Sequence, residues 1–372
     1  MRSPPVLLAV AGLLVASCGP ASREPVYIGV AGPFTQPRGS SMQLAARLAA
    51  RQINDRGGIG GRPLQLVYAD DSGEEGAAVR AAQSFVDRDR VVAVVGHLSS
   101  GPTLSALGVY AGASDPIPLI SPSASSPDLS GLSPWMFRIC PSDLAHGTQL
   151  ARFARQRLGA ARAAVIYTND DYGRGVRRTF VSEFRRQGGT ILEEDPYLAT
   201  HGSPEPFVAR LRRAGGVDVL MLATQRPEAE AVLRELRAAG LHWPAIGGDA
   251  LVGIETDGPV ADGVRVSVSY LSDRTGALND AFVTAYARAY GQRPDHRGAG
   301  AYDVIMLLAQ AIRQVGTQRD AIRGYLASVG RGRPAFEGVT GRIAFDSAGD
   351  VPDKSVLIAV VRGGRLVTEW QP

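Results

Sequence analysis

Short apolar runs rich in β-branched residues alternate with longer amphipathic ones along this chain, and the alternation runs through twice. Parallel strands need a crossover of a dozen or more residues between them, so a strand–helix–strand series of this kind builds a parallel sheet flanked by helices. In the first series, strands are expected at 26–30, 64–68, 91–95 and 117–120, with helices at 40–55, 74–88 and 103–113. The first of these helices places Leu44, Leu48 and Ile53 on one face and stops at Gly57-Gly58. A second series begins after Pro141, with helices at 144–158, 174–187, 206–214 and 227–239 and strands at 163–167, 190–192, 217–223 and 245–247. Two such series in 372 residues exceed one core and predict two lobes. The remainder reads as a strand at 264–270, helices at 279–290, 299–315 and 319–329, and strands at 341–345, 355–361 and 365–370. Gly363-Gly364 supplies a hairpin turn between the last two.

The N-terminus carries a different signal. Arg2 precedes an apolar run from Val6 to Val15 that only Gly12 interrupts, and Val15-Ala16-Ser17-Cys18 follows. The run falls short of the ~20 apolar residues of a membrane span and reads as a signal-peptide core over 1–17. Small residues before a cysteine resemble the bacterial lipobox, so Cys18 is expected to be acylated, with 18–25 as a tether. An ordinary secretory signal with a chance cysteine is the alternative. The mature chain is then expected outside the cytoplasm, held to a membrane by its lipid. Only Cys140 remains as a thiol, in an apolar stretch that suggests a buried, inert side chain without a disulfide partner.

Several chemistries find no support. The net charge of +4 falls to +3 without Arg2, and the arginines lie among acids at helical spacing, which argues for solvated helix faces and against a nucleic-acid surface. Lys354, the only lysine, follows Asp353, so no phosphate loop of the GK[ST] type exists. The glycines of 57–61 follow a helix and precede a strand, the reverse of a dinucleotide fingerprint. His97, His146, His201, His242 and His296 never pair at zinc-ligand spacing, and Gly96–Gly101 does not match a nucleophile elbow. Asp70-Asp71 and Asp170-Asp171 suit strand-end turns better than a cation site. No catalytic residue, metal or cofactor is expected.

Binding chemistry remains. In parallel α/β sheets ligands collect beyond the carboxyl ends of the strands, where helix N-termini point. Strand 91–95 leads into Gly96-His97-Leu98-Ser99-Ser100-Gly101, and strand 117–120 into Ser121-Pro122-Ser123-Ala124-Ser125-Ser126. Each is either a simple N-cap or part of an anion site that suits a carboxylate. In the second series Tyr172 follows strand 163–167, and Asp249 follows Gly247-Gly248. Asp249 is either a turn residue or, facing the first lobe across a cleft, an acceptor for an ammonium group.

Taken in order, Ala31-Gly32-Pro33, 53–61, Asp70-Asp71, Gly96–Ser100, 121–127, Phe137-Arg138, 171–175, 236–240 and Ala301-Tyr302-Asp303 resemble the branched-chain amino-acid type of periplasmic binding protein, from about Val26 to the C-terminus. The resemblance implies the type I fold, two Rossmann-like lobes around a ligand cleft. It places the N-terminal lobe at 26–140 plus 271–340 and the C-terminal lobe at 141–270 plus 341–372, with three crossings near 138–144, 265–272 and 338–352. It implies that Ser100, Ser123 and Ser125 meet the ligand carboxylate and amine, that Tyr172 closes over the ligand, and that Asp249 pairs with the ammonium. Pro37-Arg38 and Gln225 stand about where leucine binders place aromatics, which predicts a more polar pocket with Gln225 in it. Gly73 and Ser99 stand where some relatives carry a cysteine pair. The implied function is a monomeric, non-enzymatic receptor that delivers an amino-acid-like molecule to the membrane permease of an ABC importer. A ligand sensor of the same fold, for an amide or a small carboxylate, is the alternative.

Overall fold

The structure, a computed structural model, describes residues 24–371 apart from residue 89 and residues 198–202. The signal peptide and the acylation of Cys18 lie outside the described residues. The first series folds as β1 (Val26–Gly32), α1 (Pro37–Asp55), β2 (Leu64–Asp70), α2 (Glu75–Val86), β3 (Val91–Val95), α3 (Ser100–Gly112), β4 (Leu119–Ser121) and β5 (Met136–Arg138). Its sheet is parallel throughout, in the order β2-β1-β3-β4-β5. The second series is α4 (Asp143–Gln156), β6 (Arg162–Thr168), α5 (Asp171–Arg186), β7 (Thr190–Tyr197), α6 (Glu205–Ala214), β8 (Val219–Ala223), α7 (Arg226–Ala238), β9 (Ala245–Gly247) and β10 (Arg265–Val268).

Three helices follow, α8 (Ala277–Tyr290), α9 (His296–Val315) and α10 (Arg319–Ser328), then β11 (Phe336–Gly338) and β12 (Gly341–Ile343) as a small antiparallel pair. The chain ends in β13 (Leu357–Arg362) and β14 (Arg365–Trp370). These extend the second sheet to β14-β13-β10-β9-β8-β6-β7, with the two late strands antiparallel at one edge. Positive φ at both Gly363 and Gly364 fits the two-residue turn between them.

Period-two alternation sends each strand's side chains to two cores. In the first lobe Val26, Ile28 and Val30 of β1 pack with α1, α9 and α10, while Ala31 and Val94 face α2 and α3. In the second lobe Leu220 and Leu222 of β8 face α6 and α7, while Val219 and Met221 face α4 and α5. Helices α9 and α10 therefore belong to the first lobe, and β13 and β14 to the second.

The structure moves three expectations. Residues 341–351, expected in the second lobe, pack in the first, because Ile343, Phe345 and Val351 are buried against α9 and α10. Strands β5 and β11, three residues each, were too short to show a period. Helices α3, α5 and α9 begin three residues before the expected 103, 174 and 299, at Ser100, Asp171 and His296. Apolar periodicity marks a helix only where it buries a face, and these first turns face the cleft.

Candidate functional site

Both sheets have a switch point, between β1 and β3 in the first and between β6 and β8 in the second, where successive connections leave for opposite faces. The chain segments that leave the strand ends there open α1, α3, α5 and α7, and α9 adds its first turn from the first lobe. Five helix N-termini thus supply residues to one cleft, and helix N-termini favour anions. Ser100, Ser123, Ser125, Tyr172, Gln225 and Asp249, picked from sequence, all line one cavity of about 30 Å³ between the lobes. A larger chamber of about 550 Å³ shares Arg38, Gln225, Ala250 and Arg297 with it.

On the first lobe, Ser100 opens α3 and is buried. Its hydroxyl accepts a hydrogen bond from the Ser126 amide at 3.1 Å, which leaves its own proton free to donate. The Ser99 side chain makes no capping bond, so the first amides of α3 keep their donor capacity. In the neighbouring turn the Ser121 hydroxyl accepts from the Ser123 and Ala124 amides at 3.3 and 2.9 Å. Those two amides shape the turn rather than meet an anion, which leaves the Ser123 and Ser125 side chains as that turn's contribution to the cavity.

On the second lobe, the glycines before Asp249 have steric work. A Cβ on Gly247 would sit 2.3 Å from the Leu251 side chain, and one on Gly248 would sit 2.1 Å from the Tyr172 hydroxyl. Their absence lets Tyr172 lie against this backbone, where its hydroxyl accepts from the Ala250 amide at 3.3 Å and reaches the Asp249 carboxylate at 3.5 Å. Burial, and then the Asp249 charge, push the Tyr172 phenol well above its usual range, so it stays a neutral donor.

Asp249 is 4 % exposed. Its carboxylate lies 3.9 Å from Nε2 of His146 and 3.8 Å from Nε2 of His296. Burial holds both imidazoles below their usual range, His296 down to about 4, so at neutral pH neither offsets the Asp249 charge. Burial, and then Asp249, push the nearby Asp143 carboxyl well above the carboxylate range. Asp249 is thus a buried negative charge with one long hydrogen bond and space in front of it, an arrangement that costs several kcal/mol unless a cation arrives. Among the described residues no group of three His, Cys, Asp or Glu side chains is arranged to hold a metal ion.

Sequence reasoning noted Arg38 only as a departure and missed Arg297, Asp143, His146 and His296. Their signal is long-range: α9 reaches the cleft from more than a hundred residues beyond α5. Other expectations resolve locally. Asp70 accepts from the Thr35 and Ser72 amides and Asp170 caps α5 through the Gly173 amide, as turn residues do. Cys140 is a buried free thiol that burial pushes up to about 12.

The lobes touch across the cleft. Arg38 donates to Gln225 Oε1 at 3.2 Å, Arg297 to the Asp249 carbonyl at 3.5 Å, and Arg178 to Asp128 at 3.0 Å. This is a closed conformation.

Residues 25–365 match the family model described as periplasmic binding protein. The Leu/Ile/Val-binding protein homolog 1 of Brucella abortus is 28% identical over 350 residues, with 92% of this chain and 91% of the relative covered. The amino acid binding protein of Pseudomonas aeruginosa is 32% identical over 306 residues, 80% of each chain. Among solved structures, the ABC transporter substrate-binding protein from Desulfitobacterium hafniense in complex with Leu is similar at a TM-score of 0.80 and 30% identity, covering 93% of this chain and 100% of that one.

Proposed function

The chain belongs to the periplasmic binding protein family, of the branched-chain amino-acid type, and from that premise we propose that it captures an amino acid between its lobes and delivers it to the permease of an ABC importer. The family implies an extracytoplasmic location, and its members are solute-binding proteins rather than enzymes. One observation carries the ligand reading. A buried, uncompensated Asp249 carboxylate faces an under-used helix N-terminus at Ser100 across a closed cleft. An ammonium suits the first and a carboxylate the second, and an amino acid carries both on one carbon. Ser123 and Ser125 add hydroxyls beside the carboxylate, Tyr172 closes over the ligand and steadies Asp249, and Gln225 reaches toward its side chain. The lipid on Cys18 would keep the receptor beside its permease.

A thermal-shift screen of the full chain against amino acids, their amides and their deaminated analogues tests the proposal. A ligand that binds only the folded state raises the Tm, by about 2.7 kcal/mol of added stability at a hundredfold excess over Kd. Amino acids are expected to raise the Tm and deaminated analogues to do so far less. Stabilisation by the deaminated acids alone would overturn the reading.

A further inference from the structure

Resting on the amino-acid reading above, we infer that the ligand carries a second anionic group on its side chain, held between Arg38 and Arg297, which makes this a site for an α-amino dicarboxylate rather than for a branched aliphatic amino acid. The larger chamber opens directly off the zwitterion cavity, and the two arginines line both spaces. Arg38 enters from the first turn of α1 and is half-buried. Its guanidinium is held by neutral partners only, donating to Gln36 Oε1 at 2.8 Å and to Gln225 Oε1 at 3.2 Å. It lies over Gly73, where a Cβ would sit 2.1 Å from it, so the chain has cleared backbone to seat this charge.

Arg297 is 5 % exposed and enters from the first turn of α9. It pairs with Asp295 at 3.0 Å, but the other oxygen of Asp295 is taken by the Gly298 amide at the cap of α9. The other carboxylates lining the chamber are Glu230, which is paired with Arg226, and Glu228, which burial pushes above the usual carboxylate range. The two guanidiniums also act on each other: after burial, the Arg297 charge is the largest cause that lowers the Arg38 pKa. Like charges held together in a partly desolvated chamber are stabilised by an anion between them, and a planar guanidinium matches a carboxylate through paired hydrogen bonds. An isobutyl side chain there would offer neither guanidinium a hydrogen-bond partner. Alanine, proline and valine surfaces (Pro37, Pro227, Ala250, Val252) leave room for a short methylene spacer between the two ends of the ligand.

Calorimetry of the full chain with L-glutamate, L-glutamine, L-leucine and glutarate separates the two readings. Glutamate against glutamine reads the second anion; glutamate against glutarate reads the ammonium. Glutamate is expected to bind at least about 30-fold tighter than glutamine or leucine, the lower end of the loss on unpairing a buried charge. Arg38→Gln should erase most of that preference, weakening glutamate at least about tenfold more than glutamine. Arg297→Gln should do the same in any preparation whose melting shows it folded. Leucine or glutamine binding as tightly as glutamate would overturn the second anion site and leave the amino-acid reading intact. Equal losses for glutamate and glutamine in Arg38→Gln would overturn it too. Glutarate equal to glutamate, with glutamine weak, would sustain the second anion and sink the ammonium at Asp249. Failure of all four ligands would overturn both.

Discussion

Replacing Asp249 by Asn keeps the shape of the side chain and removes its charge, and the structure gives that change opposite effects on the empty and the filled protein. In the filled protein Asp249 is the one ionised acceptor placed for the ligand ammonium, because both neighbouring imidazoles are held neutral by burial. Removing one partner of a buried, hydrogen-bonded charge pair costs about 2–5 kcal/mol. At 1.4 kcal/mol per decade this is roughly 30- to several-thousand-fold in Kd. A deaminated analogue never makes the pair and should lose about 1 kcal/mol or less, the worth of an ordinary hydrogen bond. In the empty protein the sign reverses. Asp249 then stands without a cation near Asp143 of the same lobe, whose carboxyl burial, and then the Asp249 charge, push toward protonation. Asn should therefore raise the Tm of the empty protein, by ~2–4 °C for each kcal/mol regained. Calorimetry with both ligands and melting without either read the two effects separately. Equal losses for the amino acid and its deaminated analogue, or a lower Tm without ligand, would show that Asp249 only shapes its turn.

Acid should weaken the fold through the cleft histidines. His296 titrates at about 4 when folded and near 6.5 when unfolded, so the unfolded chain binds more protons between those values. Stability from this group is full above pH 6.5 and is lost as pH falls toward 4, by about 3 kcal/mol. Buried Asp143 and Asp303 are shifted up and oppose the trend, so the readout is the difference in denaturant stability between wild type and His296→Gln, which should shrink across that window. Gly248→Ala should push Tyr172 off the backbone and cost about 1–3 kcal/mol of stability together with ligand affinity, both measured on one preparation. Cys18→Ala should release the protein from the membrane fraction, and a wild type that carries no lipid by mass spectrometry would refute the anchor.

Most of the scaffold was legible in the sequence because a buried parallel strand writes a continuous apolar signal and a packed helix writes a 3.6-residue one. Strands β3 and β9 fall on their expected residues for that reason. Two of the six candidate site residues, Ser100 and Tyr172, lie where a helix begins, and a rule about strand ends and helix N-termini finds such positions without tertiary knowledge, whereas Gln225, just before α7, came from the family resemblance. Arg297 escaped that rule. Its helix follows no strand of either series but a loop after α8, so nothing local says that its first turn points into the cleft. The boundary at 341 failed for a related reason. Strand β12 and the loop after it look like the start of the final hairpin, and only the burial of Phe345 against Phe137, with ring centroids 5.1 Å apart, returns them to the first lobe. Nor could spacing reveal that Ser121 consumes the Ser123 and Ala124 amides, since that depends on how the turn curls.

The charges that select the ligand also bear on how the lobes close. Closure brings Asp249 and Asp143 from the second lobe against the first, and it carries Gln225 to Arg38 and the Asp249 backbone to Arg297. The direct bridges across the cleft beside the ligand cavity are hydrogen bonds to neutral oxygens, at 3.2 and 3.5 Å, whereas on its walls the buried Asp249 carboxylate faces only neutral imidazoles and Arg38 has only neutral hydrogen-bond partners. Desolvating unpaired charges opposes closure, and the neutral bridges offset only part of that cost, at about 0.5–1.5 kcal/mol each, or 1.5–3 where a charged donor is involved. A bound ligand changes the balance by differential affinity, since its ammonium and carboxylates meet those charges only when both walls are in place. The Arg138–Asp350 pair, two hydrogen bonds of 2.7 and 2.8 Å at the root of the crossings, stays within the first lobe and is made whether or not the cleft is filled. The energy that distinguishes open from closed therefore resides in the cleft itself, so a ligand able to compensate these charges is also the one that closes the protein most completely.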